Sequence, residues 1–346
     1  MKIILMNNNS HEIYAEAPNR IDLAGGTLDI YPLYLFLEGG VTVNAAISIS
    51  SKVSVHSRKD GRIAIYSKDL KKHLEARSPQ DLSLGSQFDL LVRVVRYYLP
   101  AGGATVTTLN EAPKGSGLGA SSALLVALSG ALNKITHKVK KTDEMVDVSA
   151  NLEAQAIRTP TGKQDYIAAL YGGFQAIHFG IDGITPKRLP LSSQFLSLLE
   201  SQIILSFTGI PHFSGSPNWG MMKLFLDRDK KTVKHLFGVR DVAEQMVEGL
   251  LSEDLARVAF LLDKEWQHRK TLAPGVTTPV IDDMMRLARR AGALAGKLCG
   301  AGGGGTMITI AEPGREKEVS LVLKKSGARI LSYKFVRRGL QVREVI

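Results

Sequence analysis

A glycine-rich turn set between a β-branched run and an apolar helix constrains this chain more than any other stretch. "ATVTTLN" (104–110) leads into "PKGSGLGASSALLVAL" (113–128), where Gly115, Gly117 and Gly119 alternate ahead of two serines. Glycine tolerates the left-handed backbone that a tight strand-to-helix turn demands. Successive N–H groups in such a turn converge on an anion, and the helix behind adds the positive end of its dipole. Strand, loop and helix occur here in the order a phosphate cradle requires. A Walker loop is ruled out, because no Lys-Ser or Lys-Thr pair closes the glycines. Gly115-x-Gly117-x-x-Ala120 fits a permissive dinucleotide loop, which expects an acid roughly 20 residues on. That region reads "ITHKVKKTD", neither strand-like nor acidic before Asp143. A ligand-free turn explains the glycines alone about equally well. Ser121 and Ser122 favour phosphate, since a hydroxyl at a helix start caps it or reaches a phosphate-bound Mg²⁺.

The flanking sequence predicts a mixed α+β chain. Strands are expected at "EIYAEAP" (12–18), "VTVNAAISIS" (41–50), "KVSVHSR" (52–58) and "RIAIYS" (62–67). Helical spacing of Phe88, Leu91, Val94, Val95 and Tyr98 predicts a helix over 87–99. Further helices are expected over 121–135, from an N-cap at Thr142 to 158, and over 164–173. The turn-rich "GIDGITPKRLP" (180–190) marks the boundary between a domain of residues 1–185 and one of 186–346. Beyond it lie an apolar strand, "SQIILSF" (201–207), and a helix over 278–292 with Thr278 as cap, Pro279 in the first turn and Gly292 past the end. That helix delivers the chain into a second glycine loop, "GKLCGAGGGGTMITIAE" (296–312).

Composition narrows the classes. At 346 residues the chain is long enough for two cores. Cys299 is the one cysteine, which excludes intrachain disulfides and cysteine-rich zinc sites. The histidines show no H-E-x-x-H spacing, so no protein-only metal site is expected. The +11 charge favours anionic small molecules. It does not predict nucleic acid, because aromatics are 6% and are not interleaved with the basic clusters. No apolar run approaches the roughly 20 residues of a membrane span, and the opening lacks a signal-peptide core. The expectation is a cytoplasmic protein with no membrane partner; the oligomeric state is left open.

Three ordered motifs carry a resemblance to a known family. "PKGSGLGASSALLVAL" resembles the second motif of the GHMP kinases, roughly P-x-G-x-G-L-G-S-S-A. "APNRIDLAGGTLDIYPLY" (17–34) and "GKLCGAGGGGTMI" (296–308) resemble the first and third. "TGIPHFSG" (208–215) and the 265–305 segment are most similar to the sugar kinases acting on heptose 7-phosphate. The resemblance implies two-layer α/β sandwiches: an N-terminal domain with a left-handed βαβ unit and a ferredoxin-like C-terminal domain. It implies ATP and Mg²⁺ as cofactors and a sugar or sugar phosphate as substrate, with transfer to O1 of a heptose 7-phosphate as the specific expectation. Other family acceptors (galactose, fucose, a mevalonate-type alcohol) and a non-catalytic sugar- or ATP-binding homologue are the alternatives.

Site residues follow from the same resemblance. Lys114, Gly115, Ser116, Gly117, Leu118, Gly119, Ala120, Ser121 and Ser122 are expected around the ATP phosphates. Ser121 matches the Mg²⁺-ligating serine, with Ser122 as the alternative because Ala120 stands where a serine is usual. Glu153 completes the metal site; read alone it is a surface helix carboxylate. Asp165 matches the catalytic aspartate, and could also cap the following helix. Arg20 matches its basic partner, expected to keep Asp165 ionised; read alone it is a strand-edge arginine. Asp29, with Gly26 and Thr27, falls at the acceptor. Leu28 departs from the usual G-G-G-T-D of those sugar kinases, where a hydroxyl stands. Gly302 and Gly303 are expected against substrate, or in a hinge. Lys163, His212 and Arg269 could grip a substrate phosphate on charge alone, with surface placement the plainer expectation.

Overall fold

The computed structural model describes residues 12–139, 141–211 and 215–345. Its first half is one branched sheet with helices on a face. β1 (Glu12–Ala24) leads through a turn and α1 (Leu33–Phe36) into β2 (Gly40–Ser57). β3 (Ile63–Ser67), β4 (Lys72–Ala76), α2 (Asp89–Tyr98) and β5 (Ala104–Asn110) follow. Then come α3 (Ala120–Thr136), α4 (Thr142–Ile157), α5 (Gln164–Tyr171), β6 (Phe174–Gly180) and β7 (Gly183–Arg188).

β2 organises this sheet. The two predicted strands 41–50 and 52–58 are one continuous strand, whose first part pairs with β6 and whose second pairs with β5. β1 runs antiparallel along both parts, with a register shift at Pro18/Asn19, where proline cannot donate to the ladder. β3 and β5 make the one parallel pair among the described strands, and α2 lies in the connection between them. α3 is apolar on nearly all sides and is buried from Ser122 to Leu132, so it serves as the core of this half.

The second half begins with α6 (Ser193–Gln202) and β8 (Ile203–Phe207). Four helices follow: α7 (Gly215–Leu226), α8 (Lys230–Leu251), α9 (Leu255–Arg269) and α10 (Pro279–Arg290). β9 (Ala293–Leu298), β10 (Thr306–Ala311), α11 (Glu316–Lys325) and β11 (Arg329–Ile330) complete a four-stranded antiparallel sheet, in the order β11-β8-β10-β9. With α7–α10 counted as one crossover this is β-α-β-β-α-β, the ferredoxin-like order.

Two boundaries differ from expectation. The turn-rich 180–190 segment contains β7, which closes a hairpin on β6 through Gly180↔Gly183. Thr142 is the first residue of α4 rather than its cap; Lys141 occupies the cap, and its N–H donates to Glu144 Oε2. Thr278 does cap α10, accepting from Ile281 N, with Pro279 behind it.

The halves interlock. β12 (Gln341–Val345) pairs with β1 and β7 itself spans residue 186, so the first sheet draws strands from both sides of that position. One apolar cluster joins Ile21, Val43 and Ile47 of the first sheet to Leu205, Val242, Leu262 and Ile308 of the second half. Another seats Leu28 and Leu33 against Trp266, Ile281 and Met307.

Candidate active site

β1 carries Arg20 into the interior, where it is 3% exposed. Its Nε donates to Asp165 Oδ1 at 2.7 Å, and its Nη2 lies 2.7 Å from the same oxygen. Its Nη1 donates to Gly117 O at 2.7 Å, and its backbone N–H donates to Leu118 O at 3.1 Å. Arg20 is therefore no strand-edge arginine: one guanidinium ties the glycine turn to Asp165.

Gly115, Gly117 and Gly119 all hold positive φ, near +70°. Gly119 is the N-cap of α3, so no cap side chain satisfies the first-turn N–H groups, and they remain available to an anion. Asp165 stands at this mouth: a Cβ on Gly119 would come 3.1 Å from its carboxylate. Lys114 and Ser121 are exposed, whereas Ser116, Leu118 and Ser122 are buried and Ala120 is half-buried. The Ser116 hydroxyl is buried without a hydrogen-bond partner.

Glu153, in the last turns of α4, faces inward rather than lying on the surface. Its Oε2 accepts from Ser122 Oγ at 3.1 Å and from the Tyr166 hydroxyl. Burial pushes this carboxyl up, and the charge of Asp165 adds to the rise against hydrogen bonds from Tyr166, Ser121 and Ser122. Two mutually repelling carboxylates and two serine hydroxyls form an all-oxygen donor set of the kind a hard divalent cation takes. Such a cation would relieve the repulsion. The residues fit the expected Mg²⁺.

Asp165 is the second residue of α5, not its cap. Burial pushes its carboxyl up; Arg20 opposes this without reversing it, and the charge of Asp22 adds to the rise. Arg20 thus acts in the expected direction, favouring the ionised carboxylate, but burial outweighs it. Capping of α5 falls to Asp29, whose Oδ2 accepts from Gln164 N at 2.9 Å. Asp29 is buried beside Gly162, where any Cβ would sit 2.0 Å from that oxygen. Burial raises its pKa to about 6.

Gly26 and Thr27 form the turn before Asp29, and Leu28 packs into the core beneath it. Thr27 holds φ +77° and donates its hydroxyl to Asn218 Oδ1 of α7 at 3.0 Å. The second glycine loop lies alongside. Gly303 N donates to Val276 O, and Gly305 N to Ile210 O, each at 2.7 Å. A Cβ on Gly302 would fall 2.5 Å from Val276 O. Thr306 N donates to Ser116 O at 2.7 Å, joining this loop to the first. These close backbone contacts pin the segment, which argues against a free hinge.

The three residues suggested by charge fare differently. Lys163 pairs with the exposed Asp147 at 2.6 Å. His212 lies outside the described residues. Arg269 is completely buried, neither on the surface nor open to a phosphate. It belongs to an ionic cluster that motif reading missed. Arg269 and Glu265 pair at 2.6 Å; Lys297 Nζ lies 3.2 Å from Glu265 and 3.3 Å from Asp22, all four fully buried. Burial pushes Asp22 up, and the charges of Lys297, Arg269 and Arg20 overcome that to hold it below the ordinary range. The signals were present: an i,i+4 acid–base pair on α9 and a lysine inside an apolar strand.

Residues 89–173 match the GHMP kinase N-terminal domain family, and residues 246–329 match the GHMP kinase C-terminal family. The D-glycero-alpha-D-manno-heptose 7-phosphate kinase of Campylobacter jejuni is 27% identical, over 95% of this chain and 98% of its own. The mevalonate kinase of Thermococcus sibiricus is 25% identical, over 96% and 99%. The crystal structure of a D-glycero-D-manno-heptose 1-phosphate kinase from Bacteroides thetaiotaomicron superposes with TM-score 0.78 at 25% identity, covering 96% of this chain and 99% of that one. Galactokinase of Lactococcus lactis, at 18% identity, shares the fold with TM-score 0.78 over 95% of each chain. Among the described residues no helix is long and apolar enough to cross a membrane.

Proposed function

The chain belongs to the GHMP kinases, and on that premise we propose that it transfers the γ-phosphoryl group of ATP to a hydroxyl of a sugar phosphate, specifically O1 of a heptose 7-phosphate. The observation that carries this reading is the Arg20–Asp165 pair at the mouth of the 115–119 turn, with Asp29 on the neighbouring strand exit.

The chemistry needs the triphosphate neutralised and a hydroxyl placed in line with it. The unpaired N–H groups at the start of α3, with Ser116 and Lys114, receive the phosphates. Ser121 or Ser122 and Glu153 hold Mg²⁺, which supplies charge neutralisation on the transferring group. Asp165 accepts the acceptor hydroxyl's proton as that oxygen bonds to the γ-phosphorus and the bond to the β–γ bridging oxygen breaks, releasing ADP. A carboxyl raised by burial is a better base than a free one. Arg20 orients it through two contacts to Oδ1 and offsets charge at the reacting centre. Asp29 accepts from acceptor hydroxyls, while Gly26, Thr27, Gly302 and Gly303 shape the space around them.

The two heptose kinases named above differ in where their names place the phosphate, so the acceptor has to be measured. Turnover with ATP and Mg²⁺ is compared for heptose 7-phosphate, heptose 1-phosphate, galactose, fucose and mevalonate, with ³¹P NMR locating the new ester. The proposal expects the 7-phosphate to lead and the product to carry phosphate at O1. Activity confined to mevalonate would end the sugar reading; a different ester position would end the O1 assignment alone.

A further inference from the structure

Arg269 takes no part in the chemistry above, yet its fork is fully engaged on the acceptor side of the site. Nε donates to Glu265 Oε1 at 2.7 Å. Nη2 donates to Gly26 O at 2.7 Å, and Nη1 to Thr27 Oγ1 at 3.3 Å. It thus reaches from the last turn of α9, in the second half of the chain, to the turn that leads into Asp29. Across Gly26 stands Asp22, whose Oδ2 would be 2.6 Å from a Cβ on that glycine. Gly26 is clasped between the guanidinium and the Asp22 carboxylate.

Thr27 needs such a clasp. A β-branched residue at φ +77° is an outlier, and persists only where its surroundings over-determine it. Its hydroxyl has one hydrogen, given to Asn218, and accepts from Arg269. Both bonds come from helices of the second half, α7 and α9. The cluster behind Arg269 is balanced, with Asp22 and Glu265 against Lys297 and Arg269, so the guanidinium is held in one orientation. Burying four charges costs desolvation that apolar residues would avoid. The return on that cost is a fixed geometry at Gly26–Thr27.

We propose that Arg269 is a positioning residue for the acceptor: it locks the Gly26–Thr27 turn so that Asp29 meets the substrate hydroxyl, and it leaves nucleotide binding untouched. This rests on the phosphotransfer reading of the site. Lysine cannot replace it, because an ammonium retains the charge opposite Glu265 but loses the planar fork that spans Gly26 and Thr27.

Arg269→Lys, Thr27→Ala and the double variant are compared with wild type for acceptor KM, ATP KM and kcat. In Arg269→Lys the acceptor KM should rise by about 10- to 100-fold, while ATP KM stays within about twofold. Thr27→Ala should shift the acceptor KM in the same direction. The double variant should fall well short of the product of the two effects, as expected for residues acting through one contact. Unchanged acceptor KM in folded Arg269→Lys, equal shifts in both KM values, or fully multiplicative effects would each overturn the proposal. If Arg269→Lys does not fold, Thr27→Ala decides alone: a wild-type acceptor KM overturns the proposal, and a raised one with unchanged ATP KM supports it. Wild type is first assayed on the acceptor panel, and the variants are measured on whichever alcohol it phosphorylates. A failed substrate assignment is therefore seen in wild type, and a failed positioning role only in the variants.

Discussion

Asp165 and Asp29 are carboxylates on neighbouring segments, and their surroundings divide the work between them. Asp165 bonds to Arg20 and faces the 115–119 glycine turn, while Asp29 accepts from the N-terminus of α5. Asp165→Asn keeps the shape of the group but removes its basicity. Turnover should fall by about 10²- to 10⁴-fold with ATP affinity little changed, as read by steady-state rates and nucleotide titration. For Asp29 the informative variable is pH. Its folded pKa of about 6 lies above the ordinary 3.8, so the folded protein holds this proton more tightly than the unfolded chain does. The stability so contributed is complete below the unfolded value and fades as pH rises through the folded one. Asp29→Asn keeps an acceptor for Gln164 N and has no charge to bury. Its Tm should exceed that of wild type near pH 8, and the difference should shrink toward about pH 4. A pH-independent difference would show that the Asp29 carboxyl titrates alike in the folded and unfolded chain, so that burial does not raise its pKa.

Among the elements, the strand–turn–helix from β5 to α3 was the most legible, because each part is locally determined. β-branched residues form the strand, three glycines take left-handed φ, and an apolar segment makes a helix that can only be buried. Gly119→Ala tests the turn. Alanine at φ +72° costs about 1–2 kcal/mol, and its Cβ would also press on Asp165 at 3.1 Å. Gly85→Ala is the control, with φ +84° and open space around it. Both variants should lower Tm modestly, but only Gly119→Ala should also reduce kcat severely. The less legible features depend on partners distant in sequence. Nothing local in "GITPKR" indicates that it completes a hairpin against β6, and Pro and Gly there read as a linker. Asp22, Glu265 and Lys297 are ordinary residues until three separate elements bring them together. Arg269 was singled out for its charge, but its burial could not be seen without the fold. Asp165 reads as a helix cap from sequence, whereas Asp29 supplies that bond from 135 positions away in the chain.

On the scale of the whole molecule, three motifs scattered from Arg20 to Gly305 do meet. Arg20 binds the turn at Gly117, and Thr306 binds it at Ser116. The second half therefore reaches the first glycine turn through Thr306 and the Gly26–Thr27 turn through Asn218 of α7 and Arg269 of α9. β12 adds a less obvious dependence. Leu340 and Val342 lie where a Cβ on Gly130 of α3 would meet them at 2.8 and 3.1 Å, so this segment packs directly on the helix that opens at the first glycine turn. A chain stopped after Gly339 should lose more than about 5 °C in Tm and bind ATP more weakly, as checked by calorimetry and nucleotide titration. Unaltered ATP affinity would show that α3 is held without that strand. β12 also closes an edge: without it, one side of β1 presents an open row of amides and carbonyls, a template for pairing with another chain.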